Sequence, residues 1–159
     1  MKILRFVARH SSLILNLIWT AIFLAAISSP ILLEISPKAG MCSYMVLRPL
    51  CHQAEGRCYN ICGHKMGLCT RCTGVFFGLA LFGWLAVGYR IKKPIRFEYF
   101  VLSMLPLIID GAGNLFEIWS TCNHLRFVTG IPFAFGVVFW IYPFIFKLER
   151  PEYPVEENI

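Results

Sequence analysis

Reading the chain for uninterrupted apolar positions finds four runs, at residues 13–33, 73–89, 99–119 and 127–146. An apolar run near 18–25 residues is the length of a bilayer-spanning helix. The pattern therefore predicts an all-α, polytopic integral membrane protein with four transmembrane helices. The first run follows a basic start (Lys2, Arg5, Arg9) and reads as an uncleaved anchor. A cleavable signal peptide is the rival, since Ala26-Ile27-Ser28 faintly resembles a cleavage site, but its apolar region should span only about 7–15 residues. The second run is short and flanked by charge, and Gly74, Gly78 and Ala80 give it small side chains for close helix approach. The third carries Pro106 and the polar residues Asp110, Asn114 and Glu117.

Composition supports the bilayer reading. Hydrophobic residues make up 57% and charged residues 15% of the 159 positions, against about 45–50% and about 25% for soluble domains. With a mean hydropathy of +0.64, one soluble core of this size could not hide so much apolar surface. An ordinary soluble enzyme is not expected. The net charge of +6 would suggest nucleic acid in a soluble protein, but topology accounts for it and no nucleic-acid partner is expected. Lys2, Arg5, Arg9, Arg90, Lys92, Lys93, Arg96, Lys147 and Arg150 would share one side. They outnumber Lys38, Arg48, Arg57, Lys65, Arg71 and Arg126 on the other. Basic residues near helix ends favour the cytoplasm, so both termini are expected there, in the cell membrane. Residues 1–146 form a single membrane domain, and the Pro- and Glu-containing tail 147–159 is expected to be disordered.

Candidate chemistry is concentrated in the Cys/His-rich segment 34–72 between helices one and two, predicted to be an extracytoplasmic loop. Six of the seven cysteines fall there, and Cys122, His124 and Arg126 emerge on the same face from the loop between helices three and four. Cys69 and Cys72 are three apart at the start of a helix, so one turn points both sulfurs the same way. That spacing serves either thiolate coordination of a metal or a reversible disulfide, with Arg71 as a nearby cation. Cys51, Cys69 and Cys72 with either His52 or His64 would complete a tetrahedral set for zinc, or for iron. Cys42, Cys58, Cys62 and Cys122 remain as an even number available for two disulfides, and simple loop staples are the bland alternative. Asp110, Asn114 and Glu117 fall at i, i+4 and i+7 on one helix face, near the middle of the membrane for Asp110. An ionisable residue at that depth is a functional hypothesis by default, with Arg71 or Arg126 as counter-ion. A polar seam locking helices together is the competing reading.

The motifs Cys51-His52-Gln53, Gly63-His64-Lys65-Met66, Cys69-Thr70-Arg71-Cys72-Thr73-Gly74, Asp110-Gly111 and Asn123-His124-Leu125-Arg126 with Thr129-Gly130 together resemble a family of small prokaryotic membrane proteins, domain of unknown function 2085. The resemblance spans roughly residues 48–136. It carries that family's pattern onto Cys51, His52, Gln53, His64, Cys69, Arg71, Cys72, Asp110 and Arg126, whereas Cys42, Cys58, Cys62 and Cys122 look like additions of this chain. It supplies no reaction.

The leading expectation is a metal site of zinc type on Cys51, Cys69, Cys72 and His52 or His64. Asp110, Arg71 and Arg126 are the candidate catalytic residues, and the substrate is lipid-like. The second is a thiol–disulfide oxidoreductase passing electrons from Cys69 and Cys72 to a quinone, by analogy of layout with disulfide-bond-formation protein B and vitamin K epoxide reductase. The third is a non-catalytic assembly or metal-sensing subunit docking another membrane protein.

Overall fold

The computed structural model describes residues 10–149. Among them the elements are α1 (Ser11–Ile35), α2 (Pro37–Leu47), a 3-10 turn (Glu55–Arg57), β1 (Asn60–Ile61), β2 (His64–Lys65), α3 (Thr70–Tyr89), α4 (Phe97–Leu115) and α5 (Asn123–Glu149). Three helices, α1, α3 and α5, are long and apolar enough to cross a membrane. α4 is not among them, because Glu98, Asp110 and Asn114 dilute its apolar character. The expected loop 34–72 is corrected: it contains the helix α2 and a two-residue-strand hairpin. Cys62 and Gly63 form the hairpin turn with φ of +53° and +77°, the left-handed pair that follows strand twist in a two-residue connection. Of the expected tail, residues 147–149 continue α5, while residues 150–159 lie outside the described residues, as do Lys2, Arg5 and Arg9.

In lipid, no hydrophobic effect drives helices together, so small residues that allow backbone contact decide which helices pair. α3 and α5 run parallel on such residues. A Cβ on Gly74 would collide with the Phe127 carbonyl, one on Gly78 would meet the Ala134 Cβ at 2.6 Å, and one on Gly130 would meet the Arg71 carbonyl at 2.7 Å. α1 packs antiparallel to α3 through Trp19–Phe76 and Phe23–Phe77 ring contacts. α4 lies antiparallel to α5, where Phe100 stacks on Trp140 at 4.7 Å between centroids. Leu17, Leu24, Leu102, Ile108 and Ile109 face outward, as side chains covered by lipid would.

Two helix-interior prolines position the connections. Proline has no N–H, so the carbonyl four residues earlier loses its helical donor. Pro30 frees the Ala26 carbonyl, which accepts the Gly67 N–H at 3.0 Å. Pro143 frees the Phe139 carbonyl, which accepts the Ile95 N–H at 3.3 Å. The first of these bonds anchors the segment leading into the cysteines against α1. At the opposite end, the Glu149 carboxylate accepts the Ser12 N–H at 2.6 Å and caps an α1 N-terminus that has no acidic residue of its own.

Candidate metal centre

Three sulfurs gather where α1, α2 and α3 meet. Cys69 is the N-cap residue of α3, in extended conformation, and Cys72 follows within the first turn. Cys51 arrives from the turn after α2. The Sγ atoms of Cys51, Cys69 and Cys72 all lie within 4.8 Å of one another, the group of this kind found among the described residues. Ala26, Leu47, Cys51 and Leu68 form a buried cluster against which Cys69, Cys72 and Phe76 pack, so the sulfurs have an apolar wall.

Backbone shape aims Cys51. Gln53 takes a left-handed φ of +53°, turning the chain so that its N–H points back at the Cys51 Sγ at 3.5 Å. The Cys69 N–H donates to the same sulfur at 3.2 Å. Gln53 locks the turn, its Nε2 donating to the carbonyls of Tyr44 (2.9 Å) and Gly67 (3.0 Å). Gly67 has no room for a side chain: a Cβ would meet Leu47 Cδ1 and Ser29 Oγ at 2.6 Å each. The Cys69 carbonyl in turn accepts the Thr73 N–H at 2.9 Å and the Thr73 hydroxyl at 3.0 Å.

These donors favour one thiolate in the cluster. Hydrogen bonds from the Cys69 and Cys72 side chains, then backbone N–H groups of Cys69 and Gln53, hold Cys51 far below the usual thiol range despite burial. Cys69 is pushed up, chiefly because its thiol donates to Cys51. Thus the donors of the cluster converge on the Cys51 sulfur.

The remaining candidates lie elsewhere. His64 Nε2 is 3.4 Å from Glu34, and His52 is exposed beside Cys51; neither belongs to the three-sulfur group. All seven cysteines are free thiols. Cys42, Cys62 and Cys122 are exposed, while Cys58 is buried, donates to the Ala54 carbonyl at 3.2 Å, and is pushed up to about 11 mainly by burial. The Tyr59 hydroxyl reaches His124 Nδ1 at 3.2 Å and Asn123 Nδ2 donates to the Cys58 carbonyl at 3.4 Å, so the cysteine-bearing segment is docked on the start of α5.

A second polar cluster abuts the first through Arg71, which lies between Cys69 and Cys72. Its Nε donates to Asp110 Oδ2 at 3.0 Å, and its Nη2 pairs with the same oxygen. Asn114 Nδ2 donates to Asp110 Oδ1 at 3.0 Å and to Thr121 Oγ1 at 2.9 Å. Arg126 completes the chain, Nη2 to Asn114 Oδ1 at 2.7 Å and Nε to Thr121 Oγ1 at 3.0 Å. Asp110, Asn114 and Arg126 are each buried. The expected Asp110–Asn114–Glu117 stripe is corrected in its last member: α4 ends at Leu115, Glu117 has φ +56° and is exposed, and the Ile118 N–H returns to the Gly113 carbonyl at 2.9 Å. The Trp119 ring then lies on the Gly113 Cα, where any Cβ would collide.

Sequence reasoning did not find Thr121 or the locking role of Gln53. Thr121 joins the network only because the fold-back at Gly113 carries it beneath Asn114, and no local pattern signals that. Gln53 belongs to a recognisable Cys-His-Gln motif, but its role depends on carbonyls of Tyr44 and Gly67, which are distant in sequence.

The chain is similar to known proteins over much of its length. The chain is 35% identical over 112 residues to an uncharacterized protein of Methanocaldococcus jannaschii, covering 68% of this chain and 71% of that one. It is 31% identical over 96 residues to an uncharacterized protein of Methanothermobacter thermautotrophicus, covering 58% and 85% respectively. No solved structure matches. Residues 51–140, which run from the first cysteine of the cluster past Arg126, match DUF2085, described as a predicted membrane protein, and the chain belongs to that family.

Proposed function

We propose that this protein is a four-span membrane protein that holds one zinc-type cation on Cys51, Cys69 and Cys72. The observation that carries this reading is the gathering of three sulfurs within 4.8 Å, one of them accepting two backbone N–H bonds of the kind that favour a thiolate. Tetrahedral zinc with bonds of about 2.3 Å needs sulfurs roughly 3.8 Å apart, inside that limit. Soft thiolate donors select zinc, with iron as the other metal they suit. N–H bonds to a ligating sulfur orient it, as outer-shell partners of metal ligands do.

In this reading α4 is the fourth span and the centre lies at the extracytoplasmic face, with both termini cytoplasmic. Three protein ligands leave one position for an exogenous group, the arrangement of zinc sites that polarise a carbonyl or activate water. The substrate is then a lipid-like molecule, since the polar network starts within the helices. Asp110, with its oxygens taken by Arg71 and Asn114, acts as the counter-ion that holds Arg71 and so the turn between Cys69 and Cys72. Arg126 remains to receive an anionic group.

Metal analysis of mildly purified protein, combined with mass-spectrometric thiol mapping, tests the proposal. It expects about one equivalent of zinc or iron, with Cys51, Cys69 and Cys72 free of disulfide. A metal-free protein carrying a Cys69–Cys72 disulfide that exchanges two electrons and two protons with a quinone would replace it with the oxidoreductase reading.

A further inference from the structure

Arg126 is a buried cation that makes no ion pair of its own among the described residues, Asp110 acting on it only at longer range. It is 7% exposed, and its hydrogen bonds go to the neutral oxygens of Thr121 and Asn114. Among the described residues no carboxylate lies within ion-pair distance of it, because Asp110, the buried acid of the network, is engaged by Arg71. Burying a guanidinium with only neutral acceptors is unfavourable, and a ligand that supplies a negative charge relieves that cost.

The place for such a ligand exists. A cavity of about 410 Å³ between the 54–57 turn and the end of α4 is lined by Arg126, Arg57, Asn114, Ser120, Glu117 and Trp119, a size in the range of small-molecule sites, about 300–1,000 Å³. Its lining carries two cations and one acid, a surplus of one positive charge. Leu115, Phe116, Ile118 and Leu125, next in sequence to lining residues, are exposed and apolar, a composition suited to acyl chains. Arginine offers a planar fork of donors that matches phosphate oxygens, and serine adds a hydroxyl donor.

We propose that this cavity binds the monoanionic phosphodiester headgroup of a membrane lipid, with Arg126 and Arg57 as the charge partners and Ser120 as a hydrogen-bond donor. A phosphodiester carries one charge at neutral pH, equal to the surplus of the lining, whereas free phosphate carries up to two and would meet Glu117 unfavourably. The inference does not rest on the sulfur centre, and metal content measured in the same samples separates the two failures.

The experiment titrates short-chain phosphatidylglycerol, and in parallel inorganic phosphate, into the full-length protein in neutral detergent, with binding read by native mass spectrometry and by thermal shift. The expected result is saturable lipid binding, weakened about tenfold in Arg126→Gln and about threefold in Arg57→Gln, with no response to phosphate at equal concentration. Arg57 is exposed, so its variant reports even where Arg126→Gln misfolds. Lipid binding unchanged in both variants, or phosphate binding in place of lipid, overturns the proposal.

Discussion

The sulfur cluster and the Arg71–Asp110–Asn114–Thr121–Arg126 network lie side by side but are built in opposite ways. The sulfurs are set by backbone: a left-handed Gln53, a helix start at Cys69 and the proline-freed Ala26 carbonyl bring them together. The network is set by side chains reaching from α3, α4 and α5 toward one another, and it closes on itself at Asp110 and Asn114. A cluster that turns three soft donors toward one point has capacity left for a ligand, whereas a network that satisfies its own groups contributes mainly to holding helices in place. Arg126 is the exception, held in the network by hydrogen bonds to neutral oxygens and without a direct carboxylate partner among the described residues.

Breaking the two clusters should therefore give different symptoms. Cys51→Ser or Cys69→Ser should reduce bound metal to below about a tenth of wild type, because a lost thiolate removes a ligand outright, as measured by elemental analysis. Asp110→Ala should instead destabilise the bundle by about 3 kcal/mol in denaturant unfolding in detergent, since it leaves Arg71 unpaired; Arg71→Met with Asp110→Leu should recover most of that loss. If Asp110→Ala abolished metal binding without loss of stability, the division between the clusters would fail. Gln53→Ala keeps every ligand yet loosens the turn, and should weaken metal affinity by about 10–100-fold in a competitive chelator titration. The smallest effect belongs to Cys42→Ser, Cys62→Ser and Cys122→Ser, exposed positions where stability should change by less than about 0.5 kcal/mol and metal content not at all.

Much of this division is visible in the amino-acid order. The apolar runs mark the long helices because bilayer thickness sets their length, and the paired spacing of Cys69 and Cys72 at a helix start brings those sulfurs together. The ends of runs are harder to read. α3 begins at Thr70 and α5 at Asn123, each earlier than its apolar run, because a polar first turn continues a helix without adding hydrophobicity. α2 escapes a search for long apolar runs, being only 11 residues, although Ser36-Pro37 is a helix-start signature. Glu117 leaves the face it shares with Asp110 on paper because α4 ends at Leu115 and the chain folds back to lay the Trp119 ring on Gly113. His52 and His64 sit near the sulfurs in sequence, but the hairpin turns His64 toward Glu34.

X-ray absorption at the zinc edge of the metal-loaded protein tests the three-sulfur centre most directly. The account predicts three sulfur neighbours at about 2.3 Å and one lighter nitrogen or oxygen neighbour. A shell without sulfur, or one of four sulfurs, would contradict it.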